Sequence, residues 1–390
     1  MAYYKPRFLR GETHYAVGRY LDEVLEPWAG FKVMFSIRLA PLWQRLSLAG
    51  SDLKRDLPGT LGFALMTVAA SLLSLYLAME LNLDHELWAP FTVMIVSSPT
   101  LNHAAMRYIY RLFGTVVGGI AGIVFIALFA QRPLALDVAL AFWGAACAYV
   151  GTSQRQQQTY AFALAWITTA IIVADSYADP NGVLVVALDR VLENFLGIAC
   201  LAAMAFFFQG HKASQKPIFL PPMPPLPKGE RLWNGLRAGA ATLAAGLLWY
   251  YTKWENGPYF VLVAGAAPVL FAALPAKLPA AFGALRGYAL GLLLGVPVHF
   301  LLLSSVGGFA EAALILAPFL LLGAIGVADM RSMGMAIGYS IAFLLMVYPS
   351  NIMSFDLEMT LNMALAIMLG GIVTFSSFLI FKPFTRQARV

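Results

Sequence analysis

Charge is what this sequence has least of. Only 12% of its 390 residues are charged, against 60% hydrophobic, and the mean hydropathy is +0.73. Soluble domains carry roughly twice that share of charge, so a soluble fold is excluded. Cysteine is almost absent. Cys147 and Cys200 both fall inside apolar runs, so neither a disulfide framework nor a metal cluster can be built from them. The sequence also lacks a nucleotide-binding P-loop, an HExxH metal motif and a nucleophile elbow, which removes ATP-driven pumping within the chain and membrane proteolysis. We therefore expect neither an enzyme nor a cofactor. The first 30 residues carry charge throughout and have no continuous apolar core, so no cleavable signal peptide is expected and the first span acts as the insertion signal. The net charge of +6 and pI near 9.2 do not point to nucleic acid, because no basic stripe with interleaved aromatics lies on a soluble domain.

What the sequence has instead is a series of long apolar runs. A spanning helix takes about 20 mostly apolar residues, and continuous runs of that kind exclude barrel strands. The expected fold is all-α, a polytopic membrane protein with about 12 transmembrane helices. The spans are placed near 59–79, 87–100, 112–131, 134–151, 159–177, 189–208, 232–252, 259–275, 287–306, 309–328, 333–349 and 359–381. With cytoplasmic termini, 23 of the 26 Lys and Arg fall inside, and only Arg132, Arg190 and Lys253 fall outside. Positive-inside bias selects that orientation.

A constant offset of 173 residues carries Gly114, Gly118, Gly122 and Gly197 onto Gly287, Gly291, Gly295 and Gly370. Each half holds six spans, an even number, so the expectation is two parallel six-helix repeats, 57–208 and 231–382. Between them, 209–230 is a proline-rich cytoplasmic linker, with Pro217, Pro221, Pro222, Pro224, Pro225 and Pro227 favouring a semi-rigid polyproline spacer. Segment 1–56 reads as a cytoplasmic or interfacial helix, with a partly inserted element as the alternative. Residues 383–390 are a cytoplasmic tail.

Short or proline-interrupted spans at matching positions of two repeats mark transporter binding sites, because broken helices expose backbone dipoles. The second span carries Pro90 and the polar run Ser97, Ser98, Pro99, Thr100; its mate contains Pro268. Either they shape a binding site or they only kink lipid-packed helices. Gly114, Gly118 and Gly122, with Gly287, Gly291 and Gly295, form small-residue faces for close helix packing. Arg107, Arg111 and Arg155 are either plain positive-inside residues or a vestibule that collects carboxylates, which guanidinium groups bind in a forked geometry. Arg155 sits in an amide-rich turn flanked by Tyr149 and Tyr160. Ionisable groups within spans are functional candidates by default. His299, Asp175 and the group Asp189, Arg190 and Glu193 are candidates for proton coupling, against the plainer reading of structural or solvated groups. Asp137 and Glu311 lie just inside helix ends, and Asp329 with Arg331 reads as a loop pair.

The pattern from Trp88, Thr92-Val93 and Pro99-Thr100 through Arg111-x-x-Gly114-Thr115-x-x-Gly118, with Arg190 ahead of Gly197, resembles the FUSC family of fusaric acid resistance and aromatic acid exporter proteins. Trp254-x-Asn256-Gly257 repeats the likeness in the second half. The resemblance implies efflux of small, often aromatic, carboxylic acids across a bacterial inner membrane, beside a periplasmic adaptor protein, in contact with membrane lipids and without nucleic acid. The six-span half is also similar to plant aluminium-activated malate transporters, which are anion channels. The soluble domains of larger family members are not seen in this sequence. Two alternatives therefore stand beside the exporter: a passive organic-anion channel, and a non-transporting membrane subunit of an envelope complex.

Overall fold

The computed structural model describes residues 57–97, 104–154, 156–209, 225–274, 276–329 and 332–381. The chain divides into the unit Met1–Pro58 and the unit Gly59–Val390, and the second carries the helical bundle. The N-terminal segment, most of the linker, the tail, Ser98, Thr100, Arg155 and Arg331 lie outside the described residues.

Twelve α-helices follow one another among the described residues, with no strand: α1 Leu57–Glu80, α2 Trp88–Val96, α3 Ala104–Phe129, α4 Pro133–Gly151, α5 Gln156–Ser176, α6 Val183–Gln209, α7 Lys228–Thr252, α8 Gly257–Leu270, α9 Lys277–Pro297, α10 Phe309–Ala328, α11 Met333–Val347 and α12 Leu357–Ile380. Eight of these segments (α1, α3, α4, α5, α6, α9 with its extension, α10 and α12) are long and apolar enough to cross a membrane, and α8 and α11 are shorter apolar helices. A multi-pass membrane protein is the architecture that results. The exposed residues agree. Phe142, Phe206, Tyr251 and Leu314 are each more than 75% exposed on a surface crowded with Leu, Ile and Val, which suits hydrocarbon rather than water.

The helices differ from the expected spans mainly at their ends. α3 starts at Ala104 instead of 112, α6 at Val183 instead of 189 and α9 at Lys277 instead of 287. The sequence reading stopped each span at charge. A helix satisfies its own backbone hydrogen bonds and continues past charged side chains, since charged side chains cost nothing to the ladder. As a result Arg107 and Arg111 lie on α3 itself.

The closest contacts occur along glycine stripes. A Cβ placed on Gly114 would lie 2.5 Å from the Ala161 carbonyl oxygen, one on Gly118 would meet the Ala165 carbonyl, and one on Gly122 would lie 2.8 Å from Ile172, so α3 rests directly on the α5 backbone. α9 meets α11 in the same way, through Gly287 against Met335, Gly291 at 2.6 Å from the Tyr339 carbonyl and Gly295 against Met346. Such stripes replace the hydrophobic driving force that lipid cannot provide. α9 continues into a π-helical turn, Val298–Leu302, after Pro297. Trp166 of α5 is fully buried and donates to the Leu140 carbonyl of α4 at 3.1 Å, while Gly265 of α8 leaves room for its ring. α5 and α8 thus meet at the centre of the molecule.

Candidate functional site

The two shortest helices, α2 and α8, lie beside the same cavity. α2 carries Pro90 near its start and ends after nine residues at Ser97, where ψ is 137°. Pro268 lies inside α8 and cannot donate to the carbonyl four residues earlier, that of Ala264. Thr374 of α12 supplies the missing donor, its hydroxyl lying 3.0 Å from that oxygen.

The cavity encloses about 90 Å3. Its polar side chains come from α2, α3, α5 and α6: Thr92, Arg111, Thr115, Tyr160, Thr168, Arg190 and Asn194. The facing wall, from α8, α9 and α11, is apolar apart from the Tyr288 hydroxyl, with Leu262, Val263, Ala266, Leu270, Ile341 and Leu345.

Arg111 is the centre of the polar wall. Its Nε donates to Asn194 Oδ1 at 2.7 Å, one terminal nitrogen to the Tyr160 hydroxyl at 3.0 Å and the other to Thr92 Oγ1 at 3.0 Å. Thr92 in turn donates to Asn194 Oδ1 at 2.9 Å, and Asn194 Nδ2 donates to the Arg190 carbonyl at 2.8 Å. The guanidinium is 5% exposed and every partner is neutral. Among the described residues no carboxylate balances it. Removing a cation from water costs several kcal/mol, and three charge-assisted hydrogen bonds of about 1.5 to 3 kcal/mol each offset that cost without cancelling the charge.

Arg190 is balanced differently. Its Nη2 lies 2.6 Å from Glu193 Oε2, one turn along α6, with both side chains almost fully buried. Its guanidinium lies over the Trp88 ring at 4.3 Å, and Trp88 packs edge-on against Phe91. Nε and Nη1 of Arg190 and Oε1 of Glu193 have no hydrogen-bond partner.

A second polar group joins the two halves of the chain at the ends of α1, α5, α8 and α11. Tyr259 donates to Asp175 Oδ1 at 2.7 Å, His85 Nε2 lies 3.9 Å from Asp175 Oδ2, and His85 Nδ1 lies 2.9 Å from the Tyr348 hydroxyl. Burial first, and then the nearby carboxylates of Asp175, Glu193 and Glu86 against the opposing charge of Arg190, push the Tyr348 phenol well above its ordinary range. The phenol stays protonated, and the two ring nitrogens of His85 bridge it to Asp175. Asn351 completes the seam, its backbone N–H donating to Glu86 at 3.0 Å and its amide to the Met79 carbonyl at 2.8 Å.

The remaining sequence candidates lie apart from the cavity. Arg107 is half-buried one turn before Arg111. Ser97 caps α2 and donates to the Met94 carbonyl. Tyr149 sits on α4 with the Arg231 guanidinium 5.5 Å above its ring. Asp189 accepts the Asp84 backbone N–H at 3.5 Å. His299 is 2% exposed in the π turn, with Nδ1 2.8 Å from the Val347 carbonyl and Nε2 2.9 Å from that of Ser354, ties that brace the backbone away from the cavity. Pro268 acts through the backbone, since its neighbours Ala267 and Leu270 line the cavity. Asn194, His85, Tyr259 and Tyr348 were missed in the sequence. Asn194 could have been found one turn after Arg190; the others converge only through tertiary folding.

Comparison with known proteins places the sequence in a family. The family model described as the fusaric acid resistance protein family matches residues 60–217 and again 228–390. An uncharacterized transporter of Gluconobacter oxydans strain 621H is 31% identical over 158 residues, 39% of this chain and 21% of that protein. The p-hydroxybenzoic acid efflux pump subunit AaeB of Escherichia coli strain K12 is 29% identical over 163 residues, 40% of this chain and 25% of the relative. The subunit of the same name from Musicola paradisiaca is 26% identical over 164 residues. The chain thus spans about a quarter of the length of the curated relatives it matches. No solved structure matches.

Proposed function

The chain belongs to the fusaric acid resistance protein family, and from that premise we propose that it exports small aromatic carboxylic acids. The observation that carries the reading is Arg111, a buried guanidinium with three neutral partners and no counter-ion among the described residues. An anionic cargo supplies that counter-ion. Its carboxylate sits against Arg111 and its ring lies on the apolar wall of Leu262, Ala266 and Ile341, which would not repay the desolvation of a second charge. The name of the p-hydroxybenzoic acid efflux pump subunits agrees with such a cargo.

The reading includes an arrangement in the membrane. The halves 57–208 and 231–382 are parallel six-helix repeats with cytoplasmic termini in a bacterial inner membrane. Support comes from the double match of the family model and from the same glycine-stripe packing of α3 on α5 and of α9 on α11. Arg107 and Arg155 then lie on the cytoplasmic side as collectors of anions, and the seam of His85, Tyr348, Glu86 and Asn351 closes the outer side. Export requires that seam to open. A periplasmic adaptor protein would receive the acid, in keeping with the word subunit in the relatives' name.

The test is binding and efflux of radiolabelled 4-hydroxybenzoate with purified protein in proteoliposomes. Arg111→Gln is expected to weaken binding by about a hundredfold, since losing one partner of a buried charge pair costs about 2 to 5 kcal/mol. Wild-type affinity in a folded Arg111→Gln protein would sink the assignment.

A further inference from the structure

Tyrosines aside, Arg111 and Arg190 are the ionisable side chains that line the cavity, and only Arg190 is neutralised on the spot, by Glu193 at 2.6 Å. The other charged groups packed around them stand outside the cavity wall. Asp175 faces His85 at 3.9 Å, Asp189 accepts the Asp84 N–H, Glu86 accepts the Asn351 N–H, and Arg107 sits half-buried one turn from Arg111. The wall of the empty cavity therefore carries one positive charge in excess, at Arg111, and a monoanion brings the wall to zero. We infer that, given the exporter reading above, the cargo crosses as the bare anion and the membrane potential drives its export, without a proton in the cycle.

The reasoning turns on which groups can change protonation as cargo binds. Arginine keeps its proton throughout the physiological range, so a carboxylate binding at Arg111 neither takes up nor releases one. A proton enters only if cargo displaces Glu193 from Arg190, because a carboxyl left there without its cation, fully buried, must protonate. Anion and proton would then cross together with no net charge. In a cell whose interior is more alkaline than its surroundings, that cycle collects acid inside. The Arg111 cycle runs the other way. Each turn takes one negative charge out of an interior held 100 mV negative, which is favourable by about fifty-fold in concentration; the loaded site is neutral, so the field acts on the return of the empty, positively charged site.

Two probes distinguish the cycles in proteoliposomes of the full chain: radiolabelled 4-hydroxybenzoate and benzenesulfonate, an aromatic anion that stays ionised. The potential is set with a potassium gradient and valinomycin at equal pH. Both probes are expected to accumulate on the positive side, approaching about fifty-fold at 100 mV. A pH gradient with the potential clamped at zero is expected to move neither above the leak of empty liposomes. In Arg111→Lys the potential dependence persists at lower affinity, since the charge remains while the fork is lost. If 4-hydroxybenzoate follows the pH gradient at zero potential while benzenesulfonate is excluded, the inference is overturned and the exporter reading survives. Absence of flux for both probes under both gradients would overturn the two together.

Discussion

Residues 57–209 and 228–381 each pack two helices along a glycine stripe and differ in their chemistry. In the first region Gly114, Gly118 and Gly122 lay α3 on the α5 backbone, and in the second Gly287, Gly291 and Gly295 lay α9 on α11. The 173-residue offset that relates those glycines carries Arg111 to Ala284, Arg190 to Met363, Glu193 to Ala366 and Asn194 to Ile367. Every member of the polar network thus has an apolar residue in its place, and Ala284 lines the same cavity that Arg111 does. Close packing is needed along the whole length of both regions, so the glycines recur. A single anion needs a single buried cation, and a second one on the opposite wall would have nothing to balance it. On the proposed reading, one wall recognises charge while the other accepts a ring.

The comparison breaks most visibly if the arginine is given to the wrong side. Ala284→Arg places a guanidinium among Ile337, Gly338 and Ile341, where the wall offers only the Tyr288 hydroxyl as an acceptor side chain. A Cβ added at Gly338 would already meet the Ala284 backbone, so there is little room as well. An uncompensated buried charge costs about 3 to 5 kcal/mol, and thermal unfolding in detergent should show a loss of that order or no folded protein. A melting temperature equal to the wild type's would mean that the second wall is wet, and its description as an apolar platform would be wrong.

The shared skeleton predicts a smaller and more symmetrical effect. Gly114→Ala and Gly287→Ala each push a methyl group into the backbone of the facing helix, and overpacking of this kind costs about 1 to 3 kcal/mol. The cost at Gly287 should be the larger, because its added Cβ meets both the Met335 carbonyl and the Tyr339 amide, and that of Gly114 meets one carbonyl and the Leu164 Cβ. Unfolding curves of the two single variants would check the order. A neutral Gly287→Ala would show that α9 and α11 can part without loss, and the likeness between the two stripes would fail at its tightest point.

The sequence made the skeleton legible and much of the chemistry illegible, for physical reasons. Twelve helices could be read because each apolar run announces itself locally, and the short second and eighth helices stood out through Pro90 and Pro268. Arg111 was visible but misplaced at a span end, because hydropathy counts its charge and not the three acceptors that enclose it. His85, Tyr259 and Tyr348 were not visible as a group: they stand 89 to 263 residues apart in the chain, and no periodicity relates an interhelical loop to a helix end so distant. Asp175 was named as an ionisable residue within a span, whereas its partner Tyr259 comes from another helix; Glu193 pairs with Arg190 of its own helix, which the sequence already grouped with it.

The seam is where the two regions depend on each other, and Tyr348 gives the smallest predicted effect. It ends α11 with φ of +39°, a left-handed conformation that a bulky residue rarely adopts, and its hydroxyl reaches His85 across the two halves. Tyr348→Phe keeps the ring and removes one hydrogen bond, a loss of about 0.5 to 1.5 kcal/mol. The pH dependence identifies the source. Because the folded phenol titrates above its unfolded value near 10, the unfolded chain loses its proton first as pH rises. The stability linked to Tyr348 is therefore fully present below about pH 10 and declines above it, by at most about 1.4 kcal/mol per pH unit. Melting curves from pH 9 to 11.5 should show the wild type losing its advantage over Tyr348→Phe on the alkaline side. A constant difference across that range would place the phenol in contact with solvent and leave the seam without its hydroxyl. Faster efflux by Tyr348→Phe at pH 7 would add that opening the seam limits export, because the substitution removes a tie that has to break for the cavity to face outwards.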